Sequence, residues 1–286
     1  MQAEATGGVL FVHAHPDDES MATGGSIARL VAEGFRVDLV TCTDGAEGEI
    51  HDPTLDPDEA HPRLAQIRRD ELACSVAALG GGAIHHHMLG YRDSGMMGTD
   101  ANDRPESFWK TDLAEPTRRL LDIVRGARPV AIVSYDENGN YGHPDHINAA
   151  RIARDAYRAA GDVARFYEIA FVRERWAELM GAMAARGIAL PWEIDEAAEP
   201  NAEDESNAFE FGRPDADVTT RVDVSGHLDA KRRSMDCHKT QRQDLGWLLD
   251  LPDDLAGGAL SPESYVLRWL DGEDIPSTHR ETSLLG

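Results

Sequence analysis

Four apolar residues, Val9-Leu10-Phe11-Val12, run without a break into His13-Ala14-His15-Pro16-Asp17-Asp18-Glu19. The apolar run reads as a buried strand. A buried strand that empties into two histidines and three carboxylates belongs to an open α/β sheet, where polar sites gather at the carboxyl edge. The same arrangement recurs far along the chain, where Val130-Ala131-Ile132-Val133 precedes Gly142-His143-Pro144-Asp145-His146. Two strand-end clusters of His and Asp around a proline point to one site assembled from distant segments.

Between and beyond these junctions the chain alternates strand and helix signals. Ser26 to Gly34 carries Ile27, Leu30 and Val31 on one helical face and stops at a glycine, and Val37 to Cys42 reads as a strand. Glu47 to Pro62 contains Pro53, Pro57 and Pro62 and is expected to be a surface loop. Arg63 to Leu79 predicts a helix closed by Gly80-Gly81-Gly82, followed by a short strand at Ile84 to Leu89 and a loop at Gly90 to Gly95. Leu113, Thr117, Leu120, Leu121 and Val124 mark the next helix. A helix from His146, a strand at Phe166 to Val172 and a helix at Arg173 to Arg186 complete the alternation. A strand at Val218 to Asp223 and a helix from Leu228 to Gln241 follow.

This β-α-β order predicts an α/β fold, a Rossmann-like, mostly parallel sheet with right-handed crossovers flanked by helices. One domain is expected over residues 1–286, with a core at about 1–172 and a less regular C-terminal part at about 173–286. Glu193 to Asp217 holds ten acidic residues against the single Arg213, and reads as a loop or lid rather than a packed element.

The formal charge of -24 opposes binding to nucleic acid or to anionic membrane surfaces, both of which need basic patches. The chain holds three lysines, Lys110, Lys231 and Lys239, so most of its positive charge is arginine. No apolar run approaches the roughly 18 residues of a transmembrane helix. Glu4 and the lack of a basic residue before the first strand argue against a signal peptide, so a cytoplasmic protein is expected. Cys42, Cys74 and Cys237 are odd in number and widely spaced, which predicts reduced thiols and no Cys-based zinc site.

A catalytic zinc takes three protein ligands and leaves a position open. His15 and Asp18, three apart where strand turns to loop or helix, can reach one ion. If Pro144 starts a helix, His143 and His146 lie about one turn apart on the same side, so one can ligate while the other faces the substrate. His15, Asp18 and His146 then form a two-His, one-carboxylate set that suits zinc and equally ferrous iron. Asp17, beside a ligand yet free of it, is the natural general base. A protonated His143 would polarise a carbonyl and donate to the departing amine, with Asp145 orienting it and Tyr141 bonding the oxyanion. Such a set suits amide or ester hydrolysis. His13 reads as a core or supporting residue. His85-His86-His87, on a strand with no carboxylate nearby, reads as structural or exposed.

The two motifs together resemble the signature of the LmbE-like, or PIG-L, family of zinc-dependent N-acetylglucosamine deacetylases. The resemblance extends over most of the chain and includes Arg68 with Glu71, Tyr91 to Met96, and Tyr135 to Gly139. It is strongest to the mycothiol branch, which comprises the N-acetylglucosaminyl-inositol deacetylases and the mycothiol S-conjugate amidases. The resemblance implies zinc on His15, Asp18 and His146, Asp17 as base, and His143 as acid and oxyanion group with help from Tyr141. It also implies that Arg68 and Asp93 contact sugar or inositol hydroxyls of a small-molecule substrate. The chain departs from the family at Gly139-Asn140, where Gly-Gly is frequent, and in the acidic segment. The amidase reading leans on Arg173 to Gly187, the deacetylase reading on Leu10 to His13 and Tyr141 to His143. A metal-dependent binding protein without turnover would be expected to lack Asp17 or His143, and both are present. A metallophosphoesterase would want Arg or Lys clamps in the motif regions, which are poor in both.

Overall fold

The computed structural model describes residues 7–189, 212–242, 246–276 and 278–286. From β1 (Gly8–His13) the chain passes through the short α1 (Asp18–Ala22) and α2 (Gly24–Ala32) to β2 (Arg36–Thr43). It continues through α3 (Pro57–Ala60) and α4 (Leu64–Leu79) to β3 (Ile84–Tyr91). Helix α5 (Ala114–Ala127) then returns to β4 (Ala131–Ser134). A tight turn, α6 (Gly139–Gly142), leads into α7 (Pro144–Ala160), β5 (Arg165–Ile169) and α8 (Arg173–Ala185). The last part holds β6 (Thr220–Val222), α9 (Leu228–Cys237), α10 (Asp253–Leu260), β7 (Glu263–Leu270) and β8 (Glu273–Asp274).

The strands order as β3-β2-β1-β4-β5-β7-β6, with β8 on β7. Pairings from β3 to β5 are parallel, and β7 runs antiparallel to both β5 and β6. The expected α/β, mostly parallel sheet is therefore present. Val9 to Val12 are fully buried, as a central parallel strand covered by helices on both faces must be. Phe11 pairs in register with Leu39 on one side and Val133 on the other. Each such side chain contributes roughly 1.5–3 kcal/mol by leaving water. Helix α7 starts on Pro144, which has no N–H to lose there, and ends on Gly161 at φ +72°.

This order sets the position of the site. From β1 the chain winds outward through β2 to β3, then crosses back to lay β4 on the other side of β1. The two crossovers diverge at the carboxyl ends of β1 and β4 and leave a crevice there. Both His/Asp motifs begin at those two strand ends.

Several expectations need correction. The Glu47 to Pro62 loop includes α3, whose N-cap Asp56 accepts from the Asp58 and Glu59 amides ahead of Pro57 at the first turn. The expected element order lacks strand β7, which joins the C-terminal part to the main sheet. Cys74 and Cys237 form a disulfide across 163 residues of sequence, so only Cys42 is a free thiol. His87 is not remote from carboxylates: its Nε2 lies 3.0 Å from Asp38 Oδ1 on the neighbouring β2. The acidic segment lies outside the described residues except for 212–217, where Arg213 meets Glu168 at 2.7 Å. Among the described residues, no helix is long and apolar enough to cross a membrane.

Candidate active site

At the end of β1 the chain turns sharply through Pro16 and Asp17. Asp17 sits at φ +126°, a conformation that L residues rarely adopt, and this sends Asp17 and Asp18 in different directions. From the β4 end, α6 brings in Tyr141, and α7 opens with His143 as its N-cap and His146 in the first turn. Asn140 takes φ +66°, which Asn tolerates better than most L residues.

The two motifs meet. His146 Nε2 lies 3.3 Å from His15 Nδ1 and 3.4 Å from Asp18 Oδ1, and His15 Nδ1 lies 3.6 Å from Asp18 Oδ2. Metal–ligand bonds of about 2.0–2.1 Å at tetrahedral angles put ligand atoms roughly 3.3–3.4 Å apart, the spacing His146 Nε2 has to His15 Nδ1 and to Asp18 Oδ1, while His15 meets the other Asp18 oxygen. His143 belongs to the same cluster: ring nitrogens of His15, His143 and His146 all lie within 4.8 Å of one another. A His/Asp cluster able to hold a metal ion is thus present, and its donors are buried or nearly so.

Charge is distributed unevenly among these groups. Burial pushes the His146 imidazole down to about 4, leaving a neutral ligand nitrogen. Burial likewise opposes the charge on His15, but Asp93, Asp145 and Asp18 outweigh it and hold that ring protonated well above the usual range. Burial works against the Asp18 carboxylate too, yet His146 and His15 pull it well below its ordinary value. Asp17 goes the other way. Burial raises it to about 7 despite the Arg68 guanidinium, with Asp18 adding to the rise.

His143 differs from its expected state. Burial, with His15 and His146 alongside, pushes it down to about 2, so the ring is neutral rather than an imidazolium. Its Nδ1 accepts from the Asp145 N–H at 3.2 Å, which puts the proton of the neutral ring on Nε2. The Asp145 carboxylate does not orient His143. It accepts from His15 Nε2 at 3.2 Å, from the Ser94 N–H at 2.9 Å and from the Ser94 hydroxyl. Asp145 therefore turns the Nδ1 of His15 toward the cluster, in the way outer carboxylates fix a ligating ring.

Arg68 and Asp93 both reach the cleft wall, and both are committed within the protein. Arg68 is 3 % exposed, and donates to Asp17 Oδ2 at 2.7 Å and to the Gly45 and Pro16 carbonyls. Asp93 accepts from the amides of Gly95 at 2.9 Å and Glu47 at 3.2 Å. Tyr141 stands half in the open with its hydroxyl 3.3 Å from His146 Nε2.

Sequence reasoning missed the role of Tyr135. Its hydroxyl donates to Asp18 Oδ2 at 2.7 Å and accepts from the Ala14 N–H at 2.9 Å, while its ring stacks on His146 with centroids 4.2 Å apart. Tyr135 opens the Tyr135 to Gly139 stretch that shares in the resemblance, just past the β4 strand end, but nothing in that stretch assigns it to Asp18. Around the cluster lies a cleft of about 740 Å³, walled on the far side by Glu47, Met96, Thr99 and Arg104. That volume holds a molecule of disaccharide size.

Residues 10–157 match the family model described as PIG-L: GlcNAc-PI de-N-acetylase. The chain is 43% identical over 267 residues to the 1D-myo-inositol 2-acetamido-2-deoxy-alpha-D-glucopyranoside deacetylase of Acidothermus cellulolyticus, covering 91% of this chain and 88% of that one. It is 44% identical over 256 residues to the enzyme of the same name from Thermobispora bispora, covering 82% and 78%. Among solved structures it is similar to the N,N'-diacetylchitobiose deacetylase from Pyrococcus horikoshii, with a TM-score of 0.56 at 19% identity, over 91% of this chain and 82% of that one. It is also similar to GalB, the 4-carboxy-2-hydroxymuconate hydratase of Pseudomonas putida, with a TM-score of 0.57 at 18% identity, over 92% and 96%. A hydratase on this fold shows that architecture alone does not select the reaction.

Proposed function

The chain belongs to the PIG-L family of GlcNAc-PI de-N-acetylases, and from that premise we propose that it hydrolyses the acetamide of 1D-myo-inositol 2-acetamido-2-deoxy-alpha-D-glucopyranoside, the deacetylation step of mycothiol biosynthesis. The observation that carries this reading is the convergence of His15, Asp18 and His146 at the β1/β4 crevice, with Asp17 projecting beside them into the same cleft. His15, Asp18 and His146 would hold the metal, with zinc the first assignment and ferrous iron suited to the same donors. When bound, such an ion supplies Lewis acidity to the amide carbonyl and acidifies water.

The remaining steps belong to the chain's own residues. Asp17, projecting into the cleft beside the three ligands and held by Arg68, is placed to take a proton from the attacking water. As water adds to the acetyl carbon, negative charge grows on the amide oxygen. His143 Nε2–H and the Tyr141 hydroxyl are the donors available to that oxygen. Once protonated, Asp17 can return that proton to the nitrogen as the C–N bond breaks and acetate leaves. In this reading His143, whose pKa burial lowers, serves as a neutral donor in place of an imidazolium acid. Arg68 holds Asp17, while Asp93 and the Glu47–Arg104 wall bound the space left for the inositol.

The test is direct. Zinc-loaded protein is offered the N-acetylglucosaminyl-inositol and, separately, a mycothiol S-conjugate, and primary amine release is followed. Turnover of the first at least tenfold faster in kcat/KM is expected. Preference for the conjugate would overturn the substrate assignment and favour amidase chemistry at the same site.

A further inference from the structure

Asp17 carries a backbone conformation that its neighbours must enforce, at φ +126°. Its carbonyl accepts from the Ser20 N–H at 2.9 Å and from the Ser20 hydroxyl at 2.7 Å, both local contacts. Its N–H is held differently. It donates to Glu19 Oε2 at 3.0 Å, and Glu19 is fully buried and does not face the cleft. The second oxygen of Glu19 accepts from the Ser75 hydroxyl and lies 2.8 Å from His238 Nε2. Ser75 in turn meets Ser234 Oγ at 2.6 Å. A buried carboxylate is therefore bound on one oxygen by the base's own amide, and on the other by side chains from α4 and from the end of α9.

His238 lies 219 residues from Glu19 and well beyond residues 10–157, the part that matches the family model. Its segment is pinned to α4 twice more. Glu71 accepts from the Thr240 N–H and hydroxyl, each at 2.7 Å, and the Cys74–Cys237 disulfide joins the residues immediately before Ser75 and His238. None of these groups touches the space a substrate would fill.

We propose that Glu19, clamped by His238 and Ser75, is a positioning residue that holds Asp17 in its reactive orientation, so that the C-terminal part of the chain sets the geometry of the base. This rests on Asp17 being the general base of the proposed deacetylation. Releasing Glu19 lets the strained Asp17 backbone relax, and a base displaced by about 1 Å loses on the order of 10²-fold in rate. Substrate contacts stay where they are, so KM is untouched.

Full-length zinc-loaded protein carrying His238→Ala is compared with His238→Gln, whose amide can still donate to Glu19, and with Glu19→Ala. His238→Ala and Glu19→Ala are expected to lose about 10- to 100-fold in kcat, with KM within twofold and zinc content unchanged. His238→Gln should recover most of the loss. In an Asp17→Asn background, His238→Ala should cost less than twofold more, because a residue acting through Asp17 has nothing left to position. Hydrogen exchange at the Asp17 amide gives a second readout: at least tenfold faster in His238→Ala, and restored in His238→Gln. Unchanged kcat in His238→Ala, or a loss that persists undiminished in the Asp17→Asn background, overturns the proposal. If the wild-type protein fails to turn over the inositol substrate, the function reading falls separately. Amide exchange then decides the positioning, and unchanged Asp17 exchange sinks it. Should Glu19→Ala not fold, the two His238 variants carry the whole test.

Discussion

Replacing Tyr135 by Phe removes one oxygen and keeps the ring that stacks on His146 at 4.2 Å. The lost hydroxyl is the donor to Asp18 Oδ2 at 2.7 Å and the acceptor for the Ala14 N–H at 2.9 Å. A hydrogen bond to a carboxylate contributes about 1.5–3 kcal/mol, and the phenol is too deeply buried for water to replace it readily. At about 2.1 cal/mol/K per residue, the 286-residue chain has an unfolding entropy of roughly 600 cal/mol/K, so that loss lowers Tm by roughly 2–5 °C. The larger effect is on metal. With its outer oxygen unpinned, Asp18 must be reoriented at each binding event, and removing a partner of this kind weakens metal affinity by about 10- to 100-fold. Chelator competition on the variant measures the affinity, and a thermal melt of the metal-free protein measures the stability. A Tm drop with wild-type zinc affinity would show that Tyr135 braces the fold and does not orient the ligand, refuting the argument.

Three other outcomes follow from the same geometry. Asp17→Asn should retain stoichiometric zinc while kcat falls about 10²- to 10⁴-fold, the range for losing a general base; near-normal turnover would move the base elsewhere. Zinc uptake should tighten as pH rises. The metal-free protein holds His15 protonated well above the usual range and Asp17 up to about 7, and a cation at His15, Asp18 and His146 expels the first proton and lowers the affinity of the second. Calorimetry in buffers of different ionisation enthalpy should therefore find protons released near pH 7, and proton uptake would contradict the assignment. Reducing the Cys74–Cys237 bridge, which closes 163 residues of chain, should destabilise the protein by about 2–4 kcal/mol without removing zinc, read by melts with and without reductant.

Much of the fold could be read locally because its signals are local. The unbroken apolar run Val9 to Val12 marks a strand buried on both faces, and Pro144 ahead of a helical period marks the start of α7. The α1 helix escaped notice because five residues are too few to show a period, and α3 was hidden among the prolines that start it. Strand β7 alternates weakly, and nothing in its own residues reports that β5 and β6 lie on either side of it.

That the two motifs meet was legible from residue type and position: a metal site needs His and Asp, and the motifs concentrate them at two strand ends that the sheet sets side by side. Tertiary structure decided everything that depends on which partner a group meets. Sequence spacing gave Asp145 to its neighbour His143, whereas packing turns its carboxylate to His15, 130 residues away. The protonation of His143 depends on burial beside two other imidazoles, and the pairing of Cys74 with Cys237 on how α4 and α9 pack. Tyr135 and His238 acquire their roles only when β4 and α9 bring them against Asp18 and Glu19. Residue type determines what a side chain can do chemically. Its charge state, its orientation and its partner come from the low-dielectric surroundings that the folded chain builds around it.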